Sequence, residues 1–215
     1  MIRGFVCNPF MEMTYVVSDE NRNAVIIDCG CSTVREQQKL VSYIENNNLH
    51  PIALLNTHFH LDHQFGNHFI LEKYGLKPYG SPLDEPLMKS QSAQYAAFNI
   101  YNDVLDGIIE PTDQTDYLPI YDGETLTFGD MHFQVIATPG HTPGSVCFLL
   151  DKACLFSGDT LFAGGMGRTD LPYGDYDTLM QSLQRLAVLS GEITIYPGHG
   201  PNSTIKRELG FYRTA

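Results

Sequence analysis

Basic residues are scarce in this chain: 13 Lys and Arg stand against 25 Asp and Glu, a formal net charge of −12 over 215 residues. Such an excess of negative charge repels phosphate backbones, and no run of Lys or Arg is longer than Lys206-Arg207, so a nucleic-acid partner is not expected. Long apolar runs are missing as well. None approaches the roughly 18 residues of a membrane span, and no membrane partner is expected. The opening residues Met1-Ile2-Arg3-Gly4-Phe5-Val6-Cys7-Asn8-Pro9 contain no apolar stretch of the kind a secretory signal carries, which points to a cytoplasmic protein. Cysteine occurs five times, at Cys7, Cys29, Cys31, Cys147 and Cys154; an odd number with no Cys-x-x-Cys argues against a disulfide framework or a zinc ribbon. These residues read instead as mostly buried, small and apolar. Internal repeats and low-complexity linkers are also missing, and 43% hydrophobic content in 215 residues is enough for a full core in one domain, 1–215.

What the chain does have is histidine concentrated in one place. Of its 8 His residues, three fall within the six-residue word His58-Phe59-His60-Leu61-Asp62-His63. Imidazole and carboxylate are ligands of borderline hardness, suited to zinc, iron or manganese. Side chains two apart in an extended segment point the same way, so His58 and His60 can share one ion while Asp62 and His63 reach past it toward a second. Further donors should be isolated His or Asp residues at strand ends. Three fit: His141 in Thr138-Pro139-Gly140-His141-Thr142-Pro143-Gly144-Ser145, Asp159 in Phe156-Ser157-Gly158-Asp159-Thr160, and His199 in Tyr196-Pro197-Gly198-His199-Gly200-Pro201. Each follows an apolar, β-favouring run and is flanked by Gly or Pro, which lets the backbone turn sharply and present one side chain. His50, His68 and His132 lack that setting and read as structural or exposed.

The rest of the pattern suggests two sheets flanked by helices. Phe5 to Val17 and Ala24 to Asp28 read as strands of an antiparallel start. Thr33-x-x-Glu36 is a capping-box signal for a helix running to about Asn47, with Leu40, Val41 and Ile44 on its apolar side. Ile52-Ala53-Leu54-Leu55 lacks alternation and so reads as a strand covered on both faces. Residues 125–137 form an expected hairpin around Gly129-Asp130, and 145–150 with 153–157 a second around Asp151-Lys152. Asp175 is placed to cap a helix through Leu189, followed by a strand at 192–196. A helical insert occupies about 82–110. In it, Tyr95, Phe98 and Tyr101 recur at three-residue spacing, either as a core-facing stripe or as a wall leaning over the metals.

His-x-His-x-Asp-His followed by a lone His, a lone Asp and a final His resembles the dinuclear pattern of the metallo-β-lactamase fold hydrolases. Gly158-Asp159-Thr160-Leu161-Phe162-Ala163-Gly164-Gly165-Met166-Gly167-Arg168-Thr169-Asp170 and Tyr196-Pro197-Gly198-His199-Gly200-Pro201 are similar to their glyoxalase II-like branch. The likeness runs from Asn8-Pro9 to about Thr204. It implies an α/β fold, a four-layer αβ/βα sandwich of two mixed β-sheets flanked by helices. It also implies two divalent metal ions per chain, zinc or alternatively iron or manganese. His58, His60 and His141 would hold one ion, Asp62, His63 and His199 the other, with Asp159 bridging. Arg168 would be the substrate contact, since in glyoxalase II the basic position one residue past a Gly-x-Gly touches glutathione. Here the aromatic residue two positions further on is replaced by Asp170, which offers Arg168 a partner within the chain.

Two cations sharing a carboxylate would lower the pKa of a coordinated water from about 15.7 toward about 7 and polarise a carbonyl beside them. A thiolate, with a pKa of about 8.5, departs without a general acid, whereas an amine does not. A small-molecule thioester is therefore the expected partner, and the resemblance points to hydroxyacylglutathione thioesters. Asp62 is either a ligand alone or also the group that orients the attacking water. The helical domain that supplies basic residues for the glutathione carboxylates in glyoxalase II proper has no counterpart in these 215 residues, so modest affinity for that carrier is expected. A mononuclear-iron persulfide dioxygenase, which shares Gly-Arg-Thr-Asp, and a lactonase remain alternatives. A β-lactamase is disfavoured because those enzymes place Cys or Ser where Asp159 stands.

Overall fold

A computed structural model of the chain describes residues 1–99, 108–109, 111–113 and 116–209. Among these, one six-stranded sheet is formed by β1 (Ile2–Cys7), β2 (Glu12–Ser18), β3 (Asn23–Ile27), β4 (His50–Leu55), β5 (Pro78–Gly80) and β6 (Leu118–Pro119), neighbours in that order. The first three strands pair antiparallel and β3 to β6 parallel. The second sheet contains β7 (Thr125–Phe128), β8 (Met131–Ala137), β9 (Val146–Leu150) and β10 (Cys154–Gly158). After the small ribbon of β11 (Leu161–Phe162) and β12 (Gly165–Met166), it is completed by β13 (Thr194–Pro197) and β14 (Ser203–Thr204). Its pairs are antiparallel except β10 with β13. The helices are α1 (Val34–Asn46), α2 (Leu61–Gln64), α3 (Asn67–Tyr74), α4 (Glu85–Met88), α5 (Gln91–Asn99), α6 (Tyr176–Ala187) and α7 (Ile205–Leu209).

Strand alternation sorts the apolar residues into layers. Along β3, Val25 and Ile27 join Tyr15, Leu55, Phe133, Phe148 and Phe156 in a core between the two sheets. Ala24 and Ile26 face the other way and pack with Leu40 and Ile44 of α1 and Ile70 of α3. The second sheet does the same: Leu149, Leu155 and Ile195 turn outward against Leu183 and Leu186 of α6 and Ile205 of α7. The result is the expected four-layer α/β sandwich of two mixed sheets. Local chemistry sets its helix starts. Thr33 Oγ1 accepts from Glu36 N at 3.3 Å while Glu36 Oε2 accepts from Thr33 N at 3.0 Å, and Asp175 Oδ1 accepts from Thr178 N at 2.7 Å.

Some expectations shift. The run from Phe5 to Val17 is broken by a turn at Asn8–Met11, where Asn8 and Met11 adopt positive φ of 49° and 62°. Ile52 is 36% exposed and is skipped in the pairing with β3, where Pro51 and Ala53 oppose the consecutive residues Ala24 and Val25. The helix opened by Asp175 ends at Ala187, before Leu189. Of the expected insert, a 3₁₀ turn at Pro82–Asp84 and helices α4 and α5 are seen. Tyr95 is half-buried, while Tyr101 and the side chain of Phe98 lie outside the described residues.

The inter-sheet layer should dominate stability. Phe133 is fully buried between Phe128 and Phe156, with ring centroids 6.3 and 6.4 Å away. Phe133→Ala is expected to lower the unfolding free energy by about 3–5 kcal/mol in a denaturant melt, and a loss under about 1 kcal/mol would contradict this packing.

Candidate metal centre

The loops that leave β3, β4, β8, β10 and β13 gather at one edge of the sandwich, and they carry Asp28, His58 to His63, His141, Asp159 and His199 in turn. The metal word splits into two pieces there. His60 is extended, with φ −67° and ψ 150°, and it precedes the single helical turn α2, which swings Asp62 and His63 away from His58 and His60. All seven expected ligands are brought together. The ligand atoms of His58, His60 and His141 lie within 4.8 Å of one another; so do those of Asp62, His63 and His199, and those of His58, His63 and Asp159. Asp159 stands between the trios, its Oδ1 3.2 Å from His63 Nε2 and its Oδ2 3.5 Å from His141 Nε2 and 3.6 Å from His199 Nε2. Asp62 Oδ2 is 3.2 Å from His199 Nε2, and His60 Nδ1 is 2.8 Å from His141 Nε2.

The opposite ring nitrogens are held from behind. His63 Nδ1 lies 3.0 Å from Asp28 Oδ2, His141 Nδ1 2.7 Å from the Arg168 carbonyl, and His199 Nδ1 2.9 Å from the Phe10 carbonyl. His58 Nδ1 is 3.1 Å from Thr57 Oγ1, whose hydroxyl donates to Asp28 Oδ2 at 2.7 Å. The Asp62 carbonyl accepts from Asn8 Nδ2 at 2.9 Å. Such partners fix the tautomer and orientation of a ligating ring. Asp28, Thr57 and Asn8 are the functional residues that sequence reasoning missed. The available signal was positional: Asp28 ends an apolar strand, and the structure gives it a positive φ of 50°.

The donor set fits a divalent cation on grounds independent of sequence pattern. His58 Nε2, His63 Nε2 and Asp159 Oδ1 are buried and form no hydrogen bond, a costly condition unless something else meets them. Burial, reinforced by neighbouring imidazoles, holds His58 well below the ordinary histidine pKa and His60 down at about 4, so both offer lone pairs. Burial opposes ionisation of Asp62 and Asp159. The charges of His63 and His199 outweigh it and hold both carboxylates below the usual range. His63 moves the other way: burial disfavours its proton, but Asp159, Asp62 and Asp28 together raise its pKa well above normal. The field that draws a proton onto His63 is the field that would draw in a metal. Beneath it, burial pushes Glu12 well above the carboxylate range, and Glu12, Asp28 and His63 form a further close group.

A cavity of about 390 Å³ opens over the ligands, with Phe10, Phe162, Met166 and Leu171 on its apolar side and Arg168 at its rim. The Arg168 guanidinium is engaged by Asp170 through two bonds of 2.7 Å, so the intrachain pair is formed and the residue's backbone carbonyl is what touches the ligand cluster. Among the described residues, none of the cavity wall comes from the 82–99 segment. His50, His68 and His132 are exposed and apart from the centre. Gly198 is demanded by close approach, because a Cβ there would lie 2.3 Å from Asp159 Oδ1 and 2.6 Å from His63 Cε1. Gly198→Ala is expected to cost metal affinity by about 10-fold or more with a cooperative melt retained; unchanged zinc binding in a competition titration would contradict the placement of Asp159.

Residues 7–199 match the metallo-beta-lactamase superfamily. The chain is 36% identical over 202 residues to hydroxyacylglutathione hydrolase GloC of Haemophilus influenzae, spanning 93% of this chain and 90% of that protein. Among solved structures, the BLEG-1 B3 metallo-beta-lactamase superposes with a TM-score of 0.84 at 29% identity, covering 98% of this chain and 97% of that one. TTHA1623 in a di-iron-bound form gives 0.82 at 34% identity, covering 95% and 96%. Members of this superfamily bind divalent metals through His and Asp clusters of the kind seen at this strand edge. With the fold, the donor cluster and the match in agreement, the chain belongs to the metallo-beta-lactamase superfamily of metal-dependent hydrolases.

Proposed function

We propose that this protein is a dinuclear thioester hydrolase of the hydroxyacylglutathione hydrolase type, with His58, His60 and His141 holding one divalent ion, Asp62, His63 and His199 the other, and Asp159 bridging. The observation that carries the reading is Asp159, whose carboxylate reaches both trios: Oδ1 lies 3.2 Å from His63, and Oδ2 lies 3.5 Å from His141 and 3.6 Å from His199. When bound, a pair of divalent ions supplies a hydroxide at neutral pH and a Lewis acid for the thioester carbonyl. Zinc is our first choice, with iron supported by the di-iron relative and manganese by ligand type.

The chain's own residues do the rest. Asp62, ionised and 18% exposed at its side chain, orients the incoming water. Phe10, Phe162, Met166 and Leu171 shield the acyl carbon from bulk water and receive the apolar part of the substrate. A thiolate leaves without protonation, which suits a site whose ionised groups are otherwise committed. Arg168 gives the carrier's carboxylates a contact already shared with Asp170, so affinity for glutathione is modest. The likeness to GloC supports the same carrier. A small-molecule thioester is thus the partner we propose, with no nucleic acid or membrane; among the described residues no helix is long and apolar enough to cross a membrane. A cytoplasmic setting belongs to the proposal, in keeping with the five free cysteines. So does a single domain over residues 1–215.

The experiment is a thiol-release assay on metal-loaded protein. Hydrolysis of S-D-lactoylglutathione is expected, and it should vanish on chelation and return with zinc. Asp159→Ala should lose on the order of 10²-fold or more, mainly in kcat, while Arg168→Ala should act on KM. Turnover of lactones or β-lactams with every glutathione thioester untouched would overturn the substrate. A single tightly held iron with sulfite formed from glutathione persulfide would replace the hydrolase by the dioxygenase.

A further inference from the structure

Asp84 is a carboxylate with no role in the chemistry above, yet it is 1% exposed. It sits at the N-terminus of α4 without using its side chain to cap that helix. Its oxygens are turned elsewhere. Oδ1 accepts from Gly144 N at 2.6 Å; Oδ2 accepts from Thr142 Oγ1 at 2.7 Å and from Phe59 N at 3.2 Å. Phe59 lies between His58 and His60, and Thr142 follows His141. One buried carboxylate therefore ties the two loops that carry the first trio. Thr142 Oγ1 is backed by Ser145 Oγ at 2.7 Å, and a Cβ on Gly144 would lie 2.6 Å from Asp84 Cγ. The residues around His141 in Thr142-Pro143-Gly144-Ser145 are thus the mould for Asp84.

The same segment braces the metal word a second time. Gln94 of α5 accepts from Leu61 N at 3.0 Å through Oε1, and its Nε2 donates to the Leu87 carbonyl at 2.8 Å. The second trio is anchored by Asp28, Asn8 and the Phe10 carbonyl, of which Asp28 also reaches His58 through Thr57. We propose that Asp84 is a positioning residue for the first metal subsite, joining the His58–His60 loop to the His141 loop through its buried carboxylate. This rests on the reading that His58, His60 and His141 share an ion. Two of its three donors are backbone N–H groups that cannot reverse, one at each oxygen, so both positions must accept. An isosteric amide can satisfy only one of them. Charge-assisted bonds to a dry carboxylate are also the stronger kind.

Zinc affinity measured by competition with a chelating dye separates this role from a general structural one. In Asp84→Asn, one of the two zinc ions should bind about 10-fold or more weakly while the other is unchanged. The loss should recur in a His199→Ala background and disappear in His60→Ala, where the first subsite is already dismantled. Unchanged affinity for both ions, equal loss of both, or the same loss persisting in His60→Ala would overturn the proposal. Wild-type protein holding a single zinc would overturn the dinuclear reading instead, and Asp84 would then be judged by whether Asp84→Asn weakens that ion. Should Asp84→Asn fail to fold, Thr142→Val, which removes one donor, must weaken one zinc ion and Thr142→Ser must restore it; wild-type affinity in Thr142→Val would overturn the role.

Discussion

The arrangement depends on one electrostatic constraint: two carboxylates and five imidazoles are held so close, in so dry a place, that they cannot all be satisfied by one another. Asp159 and Asp62 are kept ionised by positive charge on His63 and His199, while His58 and His60 are kept neutral by burial and by their neighbours. Protons on His63 and His199 are a partial answer: His63 Nε2 then faces Asp159 Oδ1 at 3.2 Å, but His58 Nε2 still forms no hydrogen bond. Divalent cations answer all of these needs at once. The protein stores that demand by burying the donors on a rigid edge, where relaxing apart would break the hydrogen bonds behind His58, His63, His141 and His199.

Those rear bonds explain why a sandwich of two sheets suits the task. Four strand ends deliver ligands, β4 from one sheet and β8, β10 and β13 from the other, so the centre straddles the inter-sheet core. Asp28, at the end of β3, accepts from His63, Thr57 N and Thr57 Oγ1 and so locks the first sheet's contribution in register. The β1–β2 turn crosses the gap between sheets: the Phe10 carbonyl holds His199, and Met13 N donates to the Gly198 carbonyl at 2.8 Å. Asp84 performs the matching link from the far side, between the β4 loop and the β8 loop. Ligand precision is then a property of the whole sandwich edge, which accounts for the density of glycine beside the ligands.

Much of this was readable in the chain because it is written locally. The His58–His63 word, the Gly- and Pro-flanked His141, Asp159 and His199, the capping box at Thr33 and the two hairpins each need only a few adjacent residues to be recognised. What escaped was long-range. Asp28, Asn8 and Asp84 act on residues between 22 and 60 positions away, and nothing in their neighbours distinguishes an anchoring side chain from a turn residue. The turn at 8–11 carries a local signal in Asn8-Pro9, which the apolar, strand-favouring residues on either side outweigh in a pattern reading. Arg168 was singled out for its side chain, but its carbonyl makes the contact with His141, and backbone atoms leave no signature in residue type.

On the proposed reading, the cluster would hold two ions with Asp159 reaching both. Diffraction from crystals grown with zinc, measured across the zinc absorption edge, tests it most directly. Two anomalous peaks about 3.5–4 Å apart are expected, one among His58, His60 and His141, the other among Asp62, His63 and His199, with Asp159 touching both. A single peak, or a second ion that Asp159 does not reach, would contradict it.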